Sequence, residues 1–336
     1  MRPGALEEEA GLSASELDPA VRPHYSIIVN VYLNEDSIPA LLSRLAEMAG
    51  QLDGPLEVVF TVDGSPDQSL LVLADALDDQ PFSSRLLAHS RNFGALAASK
   101  TGLTHASGRV FAVMAADLQE PPELYYEFFR VLDQDEADVV FGVRDNRADP
   151  ARTAFAARVF WALYRRLVNH EVPPGGIDVY ACNDNFRRHL VAFEEANSSL
   201  VALTLWLGFR RRTVTYDRQE REHGTSSWSF KKRVRYLSDS IFSFTDLPIR
   251  LLLGTGTIGV FVSVLLAVLV VAGRLSGAID VPGYAATIVV IAFFAALNLC
   301  GLGILGAYVW RAFENTKGRP GAVVMLDRHF ESRPKS

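Results

Sequence analysis

The chain has 336 residues, enough for one or two domains with full-sized cores. With 49% hydrophobic and 21% charged residues it is neither a disordered chain nor a coiled coil or collagen, and a formal charge of −6 gives no support to a nucleic-acid binder. Cys182 and Cys300 are too few for a disulfide framework, and a mean hydropathy of +0.13 is high for a soluble protein of this size.

Taken in chain order, residues 1–24 read as a disordered acidic tail. Glu7, Glu8, Glu9, Glu16 and Asp18 fall in it and no apolar run resembles a secretory signal. Residues 25–225 then alternate short β-rich runs with helical stretches. Strands are predicted at Ser26–Leu33, Leu56–Val62, Arg85–His89, Val110–Ala115 and Asp138–Val143, with helices at Ile38–Met48, Gln68–Leu77, Ala95–His105 and Pro122–Leu132. Continuous apolar strands alternating with helices predict an α/β domain with a mostly parallel sheet. Between Arg210 and Arg235 there are nine basic and three acidic residues, a local charge of +6. The stretch 226–248 mixes Trp228, Phe230, Tyr236, Phe242 and Phe244 with Lys and Arg, and predicts an interfacial amphipathic helix.

Two runs without charge follow, predicting membrane helices at 249–273 and 282–310. The linker around Arg274–Asp280 is short, so the two form a hairpin with both outer ends on one side. Lys231, Lys232, Arg233, Arg235 and Arg250 precede the hairpin, and Arg311, Lys317, Arg319 and Arg328 follow it. The linker holds only Arg274, so the positive-inside rule places the N-terminal body and the tail 311–336 in the cytoplasm. Glycines in both spans allow close helix approach and leave room for a homo-oligomer.

In parallel α/β sheets, ligands bind beyond the carboxyl ends of the strands. Each predicted strand is followed there by polar residues. They are Asn34-Glu35-Asp36, Asp63-Gly64-Ser65-Pro66-Asp67, Ser90-Arg91-Asn92-Phe93-Gly94, Asp117-Leu118-Gln119-Glu120, and Arg144 with Arg147. Any one cluster reads as an ordinary turn or helix start, but five on one rim suggest a site for a nucleotide diphosphate. Asp117 and Gln119 are two apart, and on an extended segment would point the same way to offer hard oxygens to Mg²⁺ or Mn²⁺. Arg91 and Arg144 suit phosphate oxygens.

The ordered motifs VYLNEDSIPALL, VDGSPDQS, HSRNFGALAA, AADLQEPPEL, RQEREHGTSSWSF and DSIFSFTDLPIRLL resemble those of family 2 glycosyltransferases. The likeness is greatest to membrane-anchored polyprenyl-phosphate (bactoprenol or dolichol phosphate) glycosyltransferases, and it spans roughly Tyr25 to Phe313. The resemblance implies a GT-A fold and inverting transfer of one sugar from a nucleotide-diphosphate sugar to polyprenyl phosphate at the cytoplasmic face, supplying lipid-linked sugar for cell-envelope glycan or glycoconjugate assembly. It implies that the loop of Asp63 and Ser65, with Asn34, Glu35, Arg91 and Asn92, holds the donor, and that Asp117 and Gln119 hold the metal. Arg144, Arg158, Arg218, Arg221 and Ser226 are the candidates for the donor diphosphate and the lipid phosphate, with Asp117, Arg144 and Arg221 catalytic and Trp228 near the acceptor headgroup. The sequence departs from the family at Val62, Ala115 and Ser227, which replace two aspartates and a lysine. These departures keep a second reading open, a catalytically degenerate membrane partner. The QxxRW motif of processive synthases is missing.

Overall fold

The computed structural model describes residues 23–144, 161–166, 168–173, 176–195, 200–219, 238, 240–242, 244–276 and 284–333. Eight strands form one sheet: β1 (Tyr25–Val31), β2 (Leu56–Val62), β3 (Ser83–His89), β4 (Val110–Ala115), β5 (Val139–Arg144), β6 (Val179–Asn183), β7 (Arg211–Tyr216) and β8 (Val324–Phe330). Their order is β7-β5-β6-β4-β1-β2-β3-β8. β6 pairs antiparallel with β4 and β5, and β8 antiparallel with β3, while the remaining pairs are parallel. The predicted mostly parallel α/β sheet is therefore present, in a GT-A-like arrangement.

Helices α1 (Ile38–Gln51), α2 (Ser69–Ala76), α3 (Ala95–His105) and α4 (Pro122–Asp133) follow the first four strands. Apolar residues of β1 serve both faces of the sheet. Ile27, Val29 and Val31 pack with Leu41, Leu45, Phe128 and Phe129, whereas Ile28 packs with Leu103 and Phe111 on the other side. A strand buried on both faces has no solvent side, which is why β1 and β2 are mostly apolar and do not alternate regularly with polar residues. Gly102 of α3 lies so close to β1 that a Cβ there would stand 2.3 Å from Ile28 Cγ2. α5 (Asp184–Val191) starts with the Asn183 side chain accepting from the Phe186 amide at 2.9 Å, and α6 (Leu200–Trp206) precedes β7.

Two long helices, α7 (Leu247–Leu275) and α8 (Tyr284–Thr316), carry windows of mean hydropathy 2.0 and 1.7. They are long and apolar enough to cross a membrane, and neither window is buried within the protein. They touch as an antiparallel pair. The Tyr308 hydroxyl donates to the Thr245 carbonyl at 3.4 Å, Leu252 lies over Gly301, and the Phe294 ring lies over Gly259. These contacts step by seven residues along each helix, the repeat of knobs-into-holes packing. Gly254, Gly256, Gly303 and Gly306 face open space, so of these six glycines Gly259 and Gly301 serve the hairpin contact. After α8 the chain returns to the sheet as β8, so part of the segment read as a tail is a strand of the catalytic domain.

Candidate active site

The strand directions assemble the rim. β1, β2, β3, β4, β5 and β7 run the same way and end there, while the antiparallel β6 and β8 begin there. Asp178, just ahead of β6, therefore joins residues that follow the parallel strands. The strand order turns at β1, which has β2 on one side and β4 on the other, the usual position of a ligand crevice.

On the β2 side of this crevice, Asp67 organises the loops. Its carboxylate accepts from the hydroxyls of Ser65 (2.6 Å) and Ser69 (2.8 Å) and from the amides of Glu35 (3.1 Å) and Ser69 (3.2 Å). Burial opposes ionisation of Asp67, but these hydrogen bonds outweigh it and hold its carboxyl below the usual range. Glu35 accepts from the Gln68 amide at 2.7 Å, Asn34 from the Tyr32 amide at 3.0 Å, and Ser65 from the Leu33 amide at 2.8 Å. Asn34, Glu35 and Ser65 are thus brought together, tied by hydrogen bonds between the loops after β1 and β2. Leu33 has φ 58°, a left-handed backbone conformation that costs a non-glycine residue energy.

Asp63 lies below the loops at the end of β2. It is only 4% exposed and both carboxylate oxygens already have protein partners. Oδ1 is bonded to His89 Nδ1 (2.8 Å) and accepts from the Phe93 amide (2.8 Å), and Oδ2 accepts from the Gly94 amide (2.7 Å). Burial raises its pKa, but the His89, Phe93 and Gly94 hydrogen bonds lower it further, leaving it below the normal carboxylate value. Asp63 therefore holds the loop 90–94 in place. Gly64 completes the seat, with φ 57° and no room for a Cβ, which would stand 2.2 Å from the Arg91 carbonyl carbon. Arg91 and Asn92 are exposed at the top, and the Arg91 guanidinium lies 3.9 Å from the Phe93 ring centroid.

On the β4 side, Asp117 and Gln119 do converge, by a route other than the expected one. The segment is not extended: Leu118 between them has φ 59°, and the Gln119 amide folds back toward Asp117 Oδ1 at 3.4 Å. Arg218, on the chain leaving β7, donates to Gln119 Oε1 and lies 3.9 Å from Asp117 Oδ2. The two segments are stitched further by Gln219 N to Gln119 O (2.9 Å) and Gln119 Nε2 to Gln219 O (3.3 Å). Arg144 is ion-paired with Asp178, its Nη2 donating at 2.9 Å, and the Tyr216 hydroxyl donates to Asp178 at 3.2 Å. Glu120 sits beneath. Burial, then the nearby Asp117 charge, push its pKa up to about 7 against the pull of Arg218 and Arg144. A groove lined by Pro121, Glu123, Leu124, Tyr216, Arg218 and Gln219 opens beside this cluster.

Arg158, Arg221, Ser226 and Trp228 lie outside the described residues, as does most of the predicted interfacial helix. Sequence reasoning missed Asp178 and Tyr216. Asp178 precedes its strand, so a search of residues following strands passes it over, and Tyr216 reads as one more apolar strand residue.

The donor set fits a divalent cation in one form. Among the described residues no three His, Cys, Asp or Glu side chains gather to hold a metal by themselves. Asp117 and Gln119 nonetheless aim oxygens at one cation, the Arg218 guanidinium. One carboxylate and one amide oxygen suffice for Mg²⁺ where substrate phosphates and water complete its shell.

The strand rim thus gathers hard oxygens and guanidinium groups beside a loop pinned by a buried carboxylate. Residues 26–192 match the model of glycosyl transferase family 2. An uncharacterized glycosyltransferase of Synechocystis sp. is 30% identical over 296 residues, 88% of this chain and 92% of that protein. The undecaprenyl-phosphate 4-deoxy-4-formamido-L-arabinose transferase of Pectobacterium carotovorum is 30% identical over 302 residues, 88% of this chain and 90% of that protein. Among solved structures, glucosyl-3-phosphoglycerate synthase from Mycobacterium tuberculosis in complex with Mg²⁺ and uridine-diphosphate is 19% identical, covering 70% of this chain and 85% of that one with a TM-score of 0.45. The chain belongs to glycosyltransferase family 2 and is a glycosyltransferase.

Proposed function

We propose that the protein transfers one sugar from a nucleotide-diphosphate sugar to polyprenyl phosphate at the cytoplasmic membrane face, inverting the anomeric centre. The observation that carries this reading is the meeting of Arg218 with Asp117 and Gln119, a phosphate-binding group and two cation-binding oxygens in one place, on a domain joined to two apolar helices. The relatives named for undecaprenyl-phosphate transfer support the acceptor class.

In this reading the nucleotide lies on the β2 side of the crevice at β1, against the loop 90–94, with Arg91 and Asn92 above it. Asp117 and Gln119 would hold Mg²⁺ or Mn²⁺, which would supply positive charge against the departing diphosphate. Arg218 turns from those oxygens to a phosphate oxygen, and Arg144, fixed by Asp178, keeps positive charge at the rim. The acceptor phosphate oxygen is already anionic at neutral pH, so no strong base is required. It attacks the anomeric carbon from the face opposite the leaving group. The bond from that carbon to the donor phosphate oxygen breaks, and the electron pair leaves with the nucleoside diphosphate. An α-linked donor gives a β-linked lipid phosphate. Rate comes from placing two anions together while arginine and metal cancel their repulsion.

The second reading, a degenerate partner, draws on Val62 and Ala115. Purified protein in detergent, given nucleotide sugars with and without undecaprenyl phosphate, separates the two. Release of nucleoside diphosphate that depends on the lipid phosphate is expected. Binding of the donor without lipid-dependent turnover selects the degenerate reading. For the metal, Asp117→Asn is expected to abolish both transfer and nucleotide-dependent Mn²⁺ binding by electron paramagnetic resonance, with a melting temperature close to native. Full transfer by the native enzyme in excess chelator removes the metal from the mechanism.

A further inference from the structure

The chain that leaves the membrane hairpin arrives at the same rim as the candidate site. Because β8 is antiparallel to β3, its first residues lie beside the last residues of β3. The pairing is irregular there: Ala88 faces Leu326 but His89 faces Val324, so Met325 is an extra residue on β8. A bulge of this kind bends the strand and re-aims the groups beyond it. Past the bulge, the Ser90 amide donates to the Val323 carbonyl at 2.9 Å.

Ser90 opens the loop that carries Arg91 and Asn92. The far end of that loop is held by Asp63, through the amides of Phe93 and Gly94. The loop is thus pinned on one side by the end of β2 and on the other by residues that follow both membrane helices. β8 is itself locked in place. The Asp327 carboxylate accepts from Arg85 Nε (2.7 Å) and Nη2 (2.6 Å), the Arg333 amide donates to the Gln80 carbonyl (3.0 Å), and the Arg333 guanidinium pairs with Asp79 (2.6 Å).

We propose that β8 is a positioning strand for the loop 90–94, so that the chain beyond the hairpin sets the affinity for the nucleotide sugar. The ligand named here rests on the glycosyl-transfer reading; the brace on the loop does not. None of the β8 residues touches substrate. They act by holding Ser90, and through it the backbone that presents Arg91 and Asn92.

The test uses the full chain in detergent, its Asp327→Ala and Asp327→Glu variants, and a truncation that ends before Val323. Hydrogen exchange reads the brace directly. In Asp327→Ala and in the truncated chain, a peptide spanning residues 88–95 is expected to exchange about three- to tenfold faster, the effect of losing one backbone hydrogen bond, while residues 56–62 of β2 stay as in the native chain. Asp327→Glu is expected to restore most of the protection. Binding is measured with UDP, GDP, CDP and dTDP as probes. The one that binds the native chain is expected to bind Asp327→Ala about three- to tenfold more weakly, with the KM for undecaprenyl phosphate unchanged. Unchanged exchange at 88–95 overturns the proposal, and so does faster exchange spread evenly over the sheet, which would mark β8 as general support. If the truncated chain does not fold, Asp327→Ala carries the same decision. A native chain that binds none of the four probes defeats the glycosyl-transfer reading, and exchange at 88–95 still decides the brace.

Discussion

Arg218 meets the Asp117 and Gln119 oxygens in this structure, and in the proposed reading it exchanges them for the phosphates of a bound substrate. Losing it leaves a phosphate without a charge-assisted partner, at roughly 1.5–3 kcal/mol. Arg218→Ala is therefore expected to lower kcat/KM by about tenfold or more, with Arg218→Lys recovering only part, because a point charge cannot replace the planar fork. Steady-state kinetics at limiting and saturating lipid phosphate check this, and near-native values in both series would return Arg218 to a purely structural role. Asp63 makes a different prediction, in stability. Its folded carboxyl titrates below the ordinary value of 3.8. The stability it contributes is therefore complete above that value and is lost as pH falls through the lower, folded one. Asp63→Ala is expected to cost about 1–3 kcal/mol at pH 7, where buried amides of the 90–94 loop lose their acceptor. The same variant should lose less than the native chain on further acidification from pH 5 to pH 3, as read by denaturant titration. Parallel losses in the two proteins would contradict the depressed carboxyl.

At the level of elements, the five strands predicted from sequence correspond to β1–β5, since a strand buried on both faces leaves a short, largely apolar stretch. β6, β7 and β8 were not legible in that way. β6 is five residues long, and β7 (RRTVTY) is an edge strand whose outward residues are polar. β8 (VMLDRHF) follows the long apolar helix α8, and its partner β3 is far away in the chain. The rim clusters were legible because parallel strands deliver their following residues to one edge. Asp178 was not, because only the antiparallel pairing of β6 brings it there. The kink at Leu118 was equally hidden: the convergence of Asp117 and Gln119 was expected from an extended backbone and arises from a left-handed residue. The hairpin register offers a test of its own. With Cys182 and Cys300 replaced, cysteines at Leu252 and Gly301 should be joined efficiently by a short thiol cross-linker, and a Leu252/Gly303 pair poorly, since Gly303 faces open space. Mass spectrometry of the linked peptides reads the result, and equal linking of both pairs would reject the seven-residue register.

For the whole molecule, β8 joins the sheet after α8, so the catalytic domain is attached to both outer ends of the hairpin. A domain held from both ends belongs on one side of the bilayer, and the basic residues flanking the spans favour the cytoplasmic side. In intact cells, Ser276→Cys should react with an impermeant thiol reagent and Ser332→Cys should not, in a background without Cys182 and Cys300. Reversed labelling would separate the catalytic domain from its nucleotide sugar. The return of β8 also orders events during synthesis. Asp327 reaches the ribosome 242 residues after its partner Arg85, with both membrane helices translated in between. While the nascent chain is still being threaded into the bilayer, β3 is an open sheet edge and closing it requires the longest loop in the fold. Until residues 324–330 have been made, the sheet lacks its last strand, so a chain that stops before them carries an uncovered β3 edge.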